Sequence, residues 1–122
     1  MVKVNVPSKG DIWLINPDPT NGNELKGSHY FIVITESALN KSLGVSICCP
    51  ISTVATSARS AGVTVSISGD STKKGTVRGV VLCHQVRALD LKNRNAKFHT
   101  KAEPHLIDEV IMKLVDIIDP QP

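Results

Sequence analysis

One stretch near the C-terminus constrains this chain more than any other feature. Leu106, Ile107, Val110, Ile111, Leu114, Val115 and Ile118 recur at three- and four-residue spacing, giving a helix with one broad apolar face. The preceding hundred residues carry no such period and read as short β-prone runs broken by turn residues. Residues 11–15 form an apolar run that stops at Asn16-Pro17-Asp18-Pro19-Thr20-Asn21-Gly22. Residues 30–35 are apolar enough for a central strand, and 37–40 suit a brief helical turn. Further strands are expected over 45–51, over 63–67 with clean alternation, over 77–83 and over 86–91. The terminal helix has two possible starts. Thr100-Lys101-Ala102-Glu103 reads as a capping box, but Pro104 fits better as the first helical residue. Many short strands and one helix predict a mainly β fold, a small and strongly bent sheet or barrel, in one domain spanning residues 1–122.

Several function classes are set aside by composition. No run approaches the roughly 20 apolar residues that cross a bilayer, and the first seven residues lack the apolar core of a signal peptide. A cytoplasmic protein with no membrane partner is therefore expected. Cys48, Cys49 and Cys83 are odd in number, and adjacent strand residues face opposite ways. They predict buried, reduced thiols and neither a disulfide framework nor a metal site. No cofactor motif is present. Charge is unevenly placed. Between Lys73 and Lys101 eight basic residues stand against the single acid Asp90, whereas the last 21 residues hold five acids against Lys113. A basic middle suits a polyanion. With only four aromatic residues, phosphate contacts and hydrogen bonds would have to dominate such binding.

The order of motifs carries a more specific message. Gly10-Asp11-Ile12-Trp13 opens a strand; Asp18-Pro19-Thr20, Gly22, Glu24 and Gly27 follow in a D-P-T-x-G-x-E-x-x-G loop. Pro50-Ile51-Ser52-Thr53 ends a strand, Ala58-Arg59-Ser60-Ala61-Gly62 comes next, and Gly79-Val80-Val81, Gln85, Arg87, Asp90 and Arg94 complete the series. In this order, across about residues 9–119, the chain resembles the MazF/PemK/Kid toxins, and most the PemK/Kid-like branch. The resemblance implies an SH3-like small barrel with a C-terminal helix, shared with the CcdB toxins, and a homodimer. It implies a sequence-specific endoribonuclease of a type II toxin–antitoxin system that cuts single-stranded mRNA without a metal. It further implies a cognate antitoxin, and contact with operator DNA only through the antitoxin complex. The alternative from another class is a non-cleaving, CcdB-like poison of a topoisomerase, or an inactivated relative.

The implied chemistry is attack of a ribose 2′-OH on the adjacent phosphate, leaving 2′,3′-cyclic phosphate and 5′-hydroxyl ends. It needs a base, an acid and a donor for the developing charge. The family's loop arginine is replaced here by His29. The arginine and aspartate that flank a cysteine in the Kid-like branch are replaced by Leu82 and His84, and a loop histidine by Asn23. An imidazole can take or give a proton near neutral pH, so the two histidines can supply acid and base. His29, Ser52 and His84 are thus the expected catalytic residues, with Ser52 donating to a phosphoryl oxygen. Lys26, Arg59 and Arg87 are expected on phosphates. Thr20, Asn23 and Gln85 are expected on base edges, and Thr53 adds a second hydroxyl at the strand end. Arg87 has the alternative of pairing with Asp90. His99 and His105 read as exposed residues at the helix entrance, and Trp13 as core or dimer interface.

Overall fold

The computed structural model describes residues 6–16, 22, 27–52, 61–67, 72 and 77–122. In chain order these form β1 (Asp11–Ile15), β2 (His29–Val33), α1 (Ser37–Leu43), β3 (Ser46–Ser52), β4 (Thr64–Ile67) and β5 (Gly79–Leu82). A 3-10 turn (Cys83–Gln85), β6 (Arg87–Leu89), β7 (Lys97–Lys101) and α2 (Pro104–Ile118) complete them. The strands make one seven-stranded sheet in the order β4-β5-β3-β2-β1-β7, with β6 paired to β3 beside that path. All pairings are antiparallel. The sheet is strongly bent but not closed, a barrel-like arrangement with one long C-terminal helix, as the sequence predicts.

Strand alternation divides the core in two. Ile12, Ile32, Cys49 and Ile51 point to the side where α2 lays down Leu106, Ile107, Val110 and Leu114. Trp13, Ile15, Phe31, Val33 and Cys48 point to the other side, where they meet Leu89 and Leu91. The helix starts at Pro104 in its first turn, and the Glu103 side chain makes no cap hydrogen bond, so the capping-box start is not used. The helical turn expected at 37–40 runs on to Leu43. It ends because Gly44 takes the left-handed conformation (φ 74°) and donates its N–H to the Asn40 carbonyl at 2.9 Å. β7 is absent from the sequence expectations. Its Lys-Phe-His-Thr-Lys run has one large apolar residue, and it pairs only with β1 among the described strands. An edge strand of this kind draws its stability from its neighbour's hydrogen bonds, not from a pattern of its own.

Pro50 lies inside the buried strand β3, normally a poor place for a residue without an N–H. Here β3 changes partner. Ser46, Ile47 and Cys48 pair with β6, whereas Ile51 and Ser52 pair with β5. The proline sits in the interval between the two ladders, opposite the 3-10 turn that leads β5 into β6.

Asp11 explains the opening Gly-Asp-Ile-Trp. At 3 % exposure its carboxylate accepts from the Ser8 N–H (2.8 Å), the Trp13 indole N–H (3.2 Å) and the Lys101 ammonium (2.9 Å). It thereby ties the chain before β1 to the centre of β1 and the end of β7. Asp11→Ala strands two buried donors and should cost about 2–3 kcal/mol in urea unfolding. Lys101→Ala removes only a 42 % exposed partner and should cost less than about 1 kcal/mol.

All three cysteines are free and buried. Burial pushes the Cys48 thiol up to about 12 and the Cys83 thiol up to about 11, the latter held back by Lys113. Cys49 is raised as well, by burial first and then by its thiol neighbours Cys83 and Cys48. An unfolded thiol ionises near pH 8.5, so the unfolded state sheds protons first as pH rises. The contribution of the buried thiols is present below that pH and is lost as pH climbs toward the folded values. A thiol reagent at pH 8 should label none of the three in the folded protein and all three in 8 M urea (about the usual unfolding concentration). Rapid labelling of the native protein would contradict this burial.

Candidate functional site

Five of the ten expected site residues lie among those described: His29, Ser52, His84, Gln85 and Arg87. Thr20, Asn23, Lys26, Thr53 and Arg59 lie outside the described residues, as does Glu24.

His29 is the first residue of β2, half-buried and opposite Ile15 of β1. Ser52 is the last residue of β3, 3 % exposed and opposite Val80 of β5. The β2–β3 ladder runs from Val33–Cys48 to Phe31–Pro50. Carried two residues further, the same register sets His29 level with Ser52 and on the same side of the sheet. His84 occupies the middle of the 3-10 turn. It is exposed, while its neighbour Cys83 is wholly buried, so the two side chains diverge and form no Cys-His pair. Gln85, half-buried, ends the same turn. Arg87 opens β6, half-buried and opposite Cys48. It therefore shares the face of Cys48, Pro50 and Ser52. His29, Ser52, Gln85 and Arg87 each make further polar, ring or electrostatic contacts.

His29, the first residue of β2, and Ser52, the last of β3, thus lie at the same end of this antiparallel pair of strands. His84 and Gln85 lie in the turn between β5 and β6, the two strands that pair with the edge of β3 away from β2. Ser52 is not open to a phosphate in this conformation. The Asp90 carboxylate accepts from the backbone N–H (3.2 Å) and side-chain amide (2.7 Å) of Asn93. It serves the turn after β6.

Two features near the site were not legible beforehand. The β1–β7 register shifts between Ile12 and Trp13, so Ile12 faces Thr100 and Trp13 faces Phe98, leaving His99 as the extra residue of a bulge. His99 is half-buried and its ring stacks on Tyr30, with centroids 4.6 Å apart and planes tilted by 40°. The expectation of an exposed His99 is corrected by this contact, which places an aromatic pair beside His29; His105 is exposed as expected. The second feature is the Arg94 guanidinium, which donates to the Asn16 carbonyl at 3.3 Å and ties the turn after β6 to the end of β1. Among the described residues, no three His, Cys, Asp or Glu side chains are grouped to hold a metal ion. No described helix is long and apolar enough to cross a membrane.

Gly79 shows why the Gly-Val-Val run needs its glycine. Its φ is +140°, and a Cβ built on it would lie 2.5 Å from the Ser52 carbonyl oxygen. Both the backbone conformation and the close approach of β5 to the end of β3 exclude a side chain. Gly79→Ala should cost about 2–3 kcal/mol and displace Ser52. Urea unfolding indistinguishable from the parent would show that the strand end yields freely.

With this geometry in place, comparison with known proteins is informative. Residues 8–118 match the family described as PemK-like, MazF-like toxin of type II toxin-antitoxin system. Endoribonuclease PemK of Escherichia coli is 32% identical over 110 residues, covering 90% of this chain and 80% of its own. Endoribonuclease toxin ChpB of Escherichia coli strain K12 is 34% identical over 120 residues, covering 98% and 100%. Among solved structures, MazF from Deinococcus radiodurans superposes with a TM-score of 0.79 at 27% identity, over 93% of this chain and 96% of that one. A MazE-MazF structure from the same organism gives 0.75 at 25% identity, over 95% and 98%. The chain belongs to the PemK-like, MazF-like toxins of type II toxin–antitoxin systems, a family of endoribonucleases.

Proposed function

We propose that this toxin is a sequence-specific, metal-independent endoribonuclease that cuts single-stranded mRNA and so arrests translation and growth. The observation that carries the reading is the family match across residues 8–118, joined by two relatives that are themselves endoribonucleases. The same comparisons favour cleavage over a CcdB-like binding poison. In this reading the ribose 2′-OH attacks the adjacent phosphorus, the P–O5′ bond breaks, and the products carry 2′,3′-cyclic phosphate and 5′-hydroxyl ends. His29 and His84 divide the two proton transfers, one removing the 2′-OH proton and the other protonating the leaving oxygen. Ser52 donates to a phosphoryl oxygen as charge builds there.

The remaining site residues hold the strand. Arg87, Lys26 and Arg59 bind phosphates, and Gln85, Thr20, Asn23 and Thr53 read or orient bases. The support for Gln85 and Arg87 is positional: the first lies in the turn beside β3, the second on the Ser52 face. A homodimer, a cognate antitoxin and contact with operator DNA through the antitoxin alone complete the proposal. It draws on family membership and on the MazE-MazF complexes among the structural neighbours. A cytoplasmic location follows from an mRNA substrate.

Incubation of the purified protein with a long single-stranded RNA in EDTA should give discrete cuts with cyclic phosphate and 5′-hydroxyl ends. His29→Ala and His84→Ala should each lower kcat/KM by about 10²–10⁴-fold while leaving the unfolding midpoint in place. Ser52→Ala should lower it by about 10²-fold. A folded protein that cuts no RNA would overturn the nuclease reading; full activity in the double histidine variant would overturn the assignment of the histidines.

A further inference from the structure

Asp90 and Arg94 close the series of motifs in the sequence, yet neither is among the expected site residues. The structure joins them in one turn between β6 and β7. Asp90 accepts from Asn93 through its carboxylate and from the Arg94 N–H through its carbonyl, the latter at 3.1 Å. The Ala96 N–H donates to the Leu91 carbonyl (3.1 Å), and the Asn95 N–H to the Lys92 carbonyl (3.3 Å). Asn95 takes the left-handed conformation at φ 52°, and among the described residues only glycines otherwise do so. Buried Leu91 and half-buried Ala96 anchor the turn in the cluster that holds Trp13, Ile15 and Phe31. A turn fixed at so many points presents half-buried Arg94 in a set direction, which is toward β1. Its guanidinium donates to the Asn16 carbonyl at 3.3 Å.

Asn16 stands just past the last pair of the β1–β2 ladder, which is Ile15 with His29. Cross-strand partners share a face, so the His29 side chain lies on the side of the sheet where Ile15 meets this cluster and from which the turn approaches. The ends of strands fray unless a neighbouring group holds them. Here the end of β1 is held by a guanidinium from 78 residues further along the chain. We infer that Arg94 is a positioning residue of the candidate nuclease site. By holding the end of β1 it fixes the backbone on which His29 stands, and with it the aim of the imidazole. A histidine side chain has only two torsions, so its reach follows its backbone, and a misplacement of about 1 Å can cost about 10²-fold in rate. Asp90 enters as the builder of the turn that aims Arg94. The inference rests on the nuclease reading for the reaction it serves, but not for the coupling between Arg94 and His29.

In the full-length protein Arg94→Ala should lower kcat for RNA cleavage by about 10–100-fold, with KM and the urea midpoint close to the parent's. Affinity for a 2′-deoxy copy of the cleaved strand, which cannot be cut, should be unchanged. Arg94→Lys keeps a donor for the Asn16 carbonyl and should recover most of the rate. In a His29→Ala background the Arg94→Ala change should cost less than about threefold, because it acts through His29. A second measurement needs no RNA. The imidazole NMR signals of His29, identified by their loss in His29→Ala, should shift in Arg94→Ala while those of His84 and His105 stay in place. Asp90→Ala leaves Arg94 present but loosens its turn, so it should shift the same signals, and it carries the test if Arg94→Ala does not fold. Unmoved His29 signals overturn the proposal, as does an equal loss of rate with and without His29. Weaker binding of the uncut strand would make Arg94 a phosphate contact instead and overturns it too. If the parent protein cuts no RNA, the nuclease reading fails while the His29 signals still decide this one.

Discussion

The hydrogen bonding of β3 along both of its edges is the constraint on which the rest of the molecule depends. One edge is held by β2; the other is held first by β6 and then by β5. All but one of its residues are buried. A strand paired twice on one side cannot remain in a flat sheet, because its two partners on that edge have to leave in different directions. The bend that follows encloses one apolar cluster beneath the sheet and leaves the other for α2 to cover. Pro50 and the 3-10 turn mark the place where the partners change. A residue that cannot donate and a turn that interrupts the ladder are complementary there.

The candidate chemistry inherits its placement from this arrangement. Ser52 is fixed because it ends β3 and is still paired to β5, and Gly79 lets β5 come within backbone contact of it. His29 sits level with Ser52 because β2 pairs with β3 in a register that the buried alternation of Phe31 and Val33 enforces. His84 is carried to the opposite side of β3 by the turn that accommodates the change of partner. Cys83, inside that turn, is anchored in the core and donates its backbone N–H to the Val63 carbonyl at 3.1 Å. The candidate residues therefore stand beside neighbours that are apolar and buried.

Charge follows the same geometry. The basic excess between Lys73 and Lys101 is one run in sequence, but the fold distributes it. Lys101 is drawn back to Asp11 and Arg94 is spent on the Asn16 carbonyl. Arg87 faces the candidate site from β6, whereas Lys92 lies in the turn before β7 and Lys97 opens β7.

Much of this was legible in the sequence, for local reasons. The period of the apolar residues after Pro104 defines α2, the alternation around residues 29–52 and 64–67 defines strands, and buried thiols follow from three cysteines in apolar runs. Family membership was legible in the order of motifs, because a loop, a strand end and a Gly-Val-Val run can be recognised without knowing what they touch. Other features exist only in three dimensions. β7 has too little apolar character to announce itself and becomes a strand because β1 offers it an edge. His99 reaches Tyr30 through a bulge that pairing with β1 creates. Gly79 and Pro50 look like turn residues until their neighbours, the Ser52 carbonyl and the changing ladder, are seen. The sequence by itself determined most of the elements and the family, since both depend on residues close together in the chain. Only the tertiary structure decided which of the candidate residues share an end of the sheet, because that depends on strand register and partner exchange across distant segments.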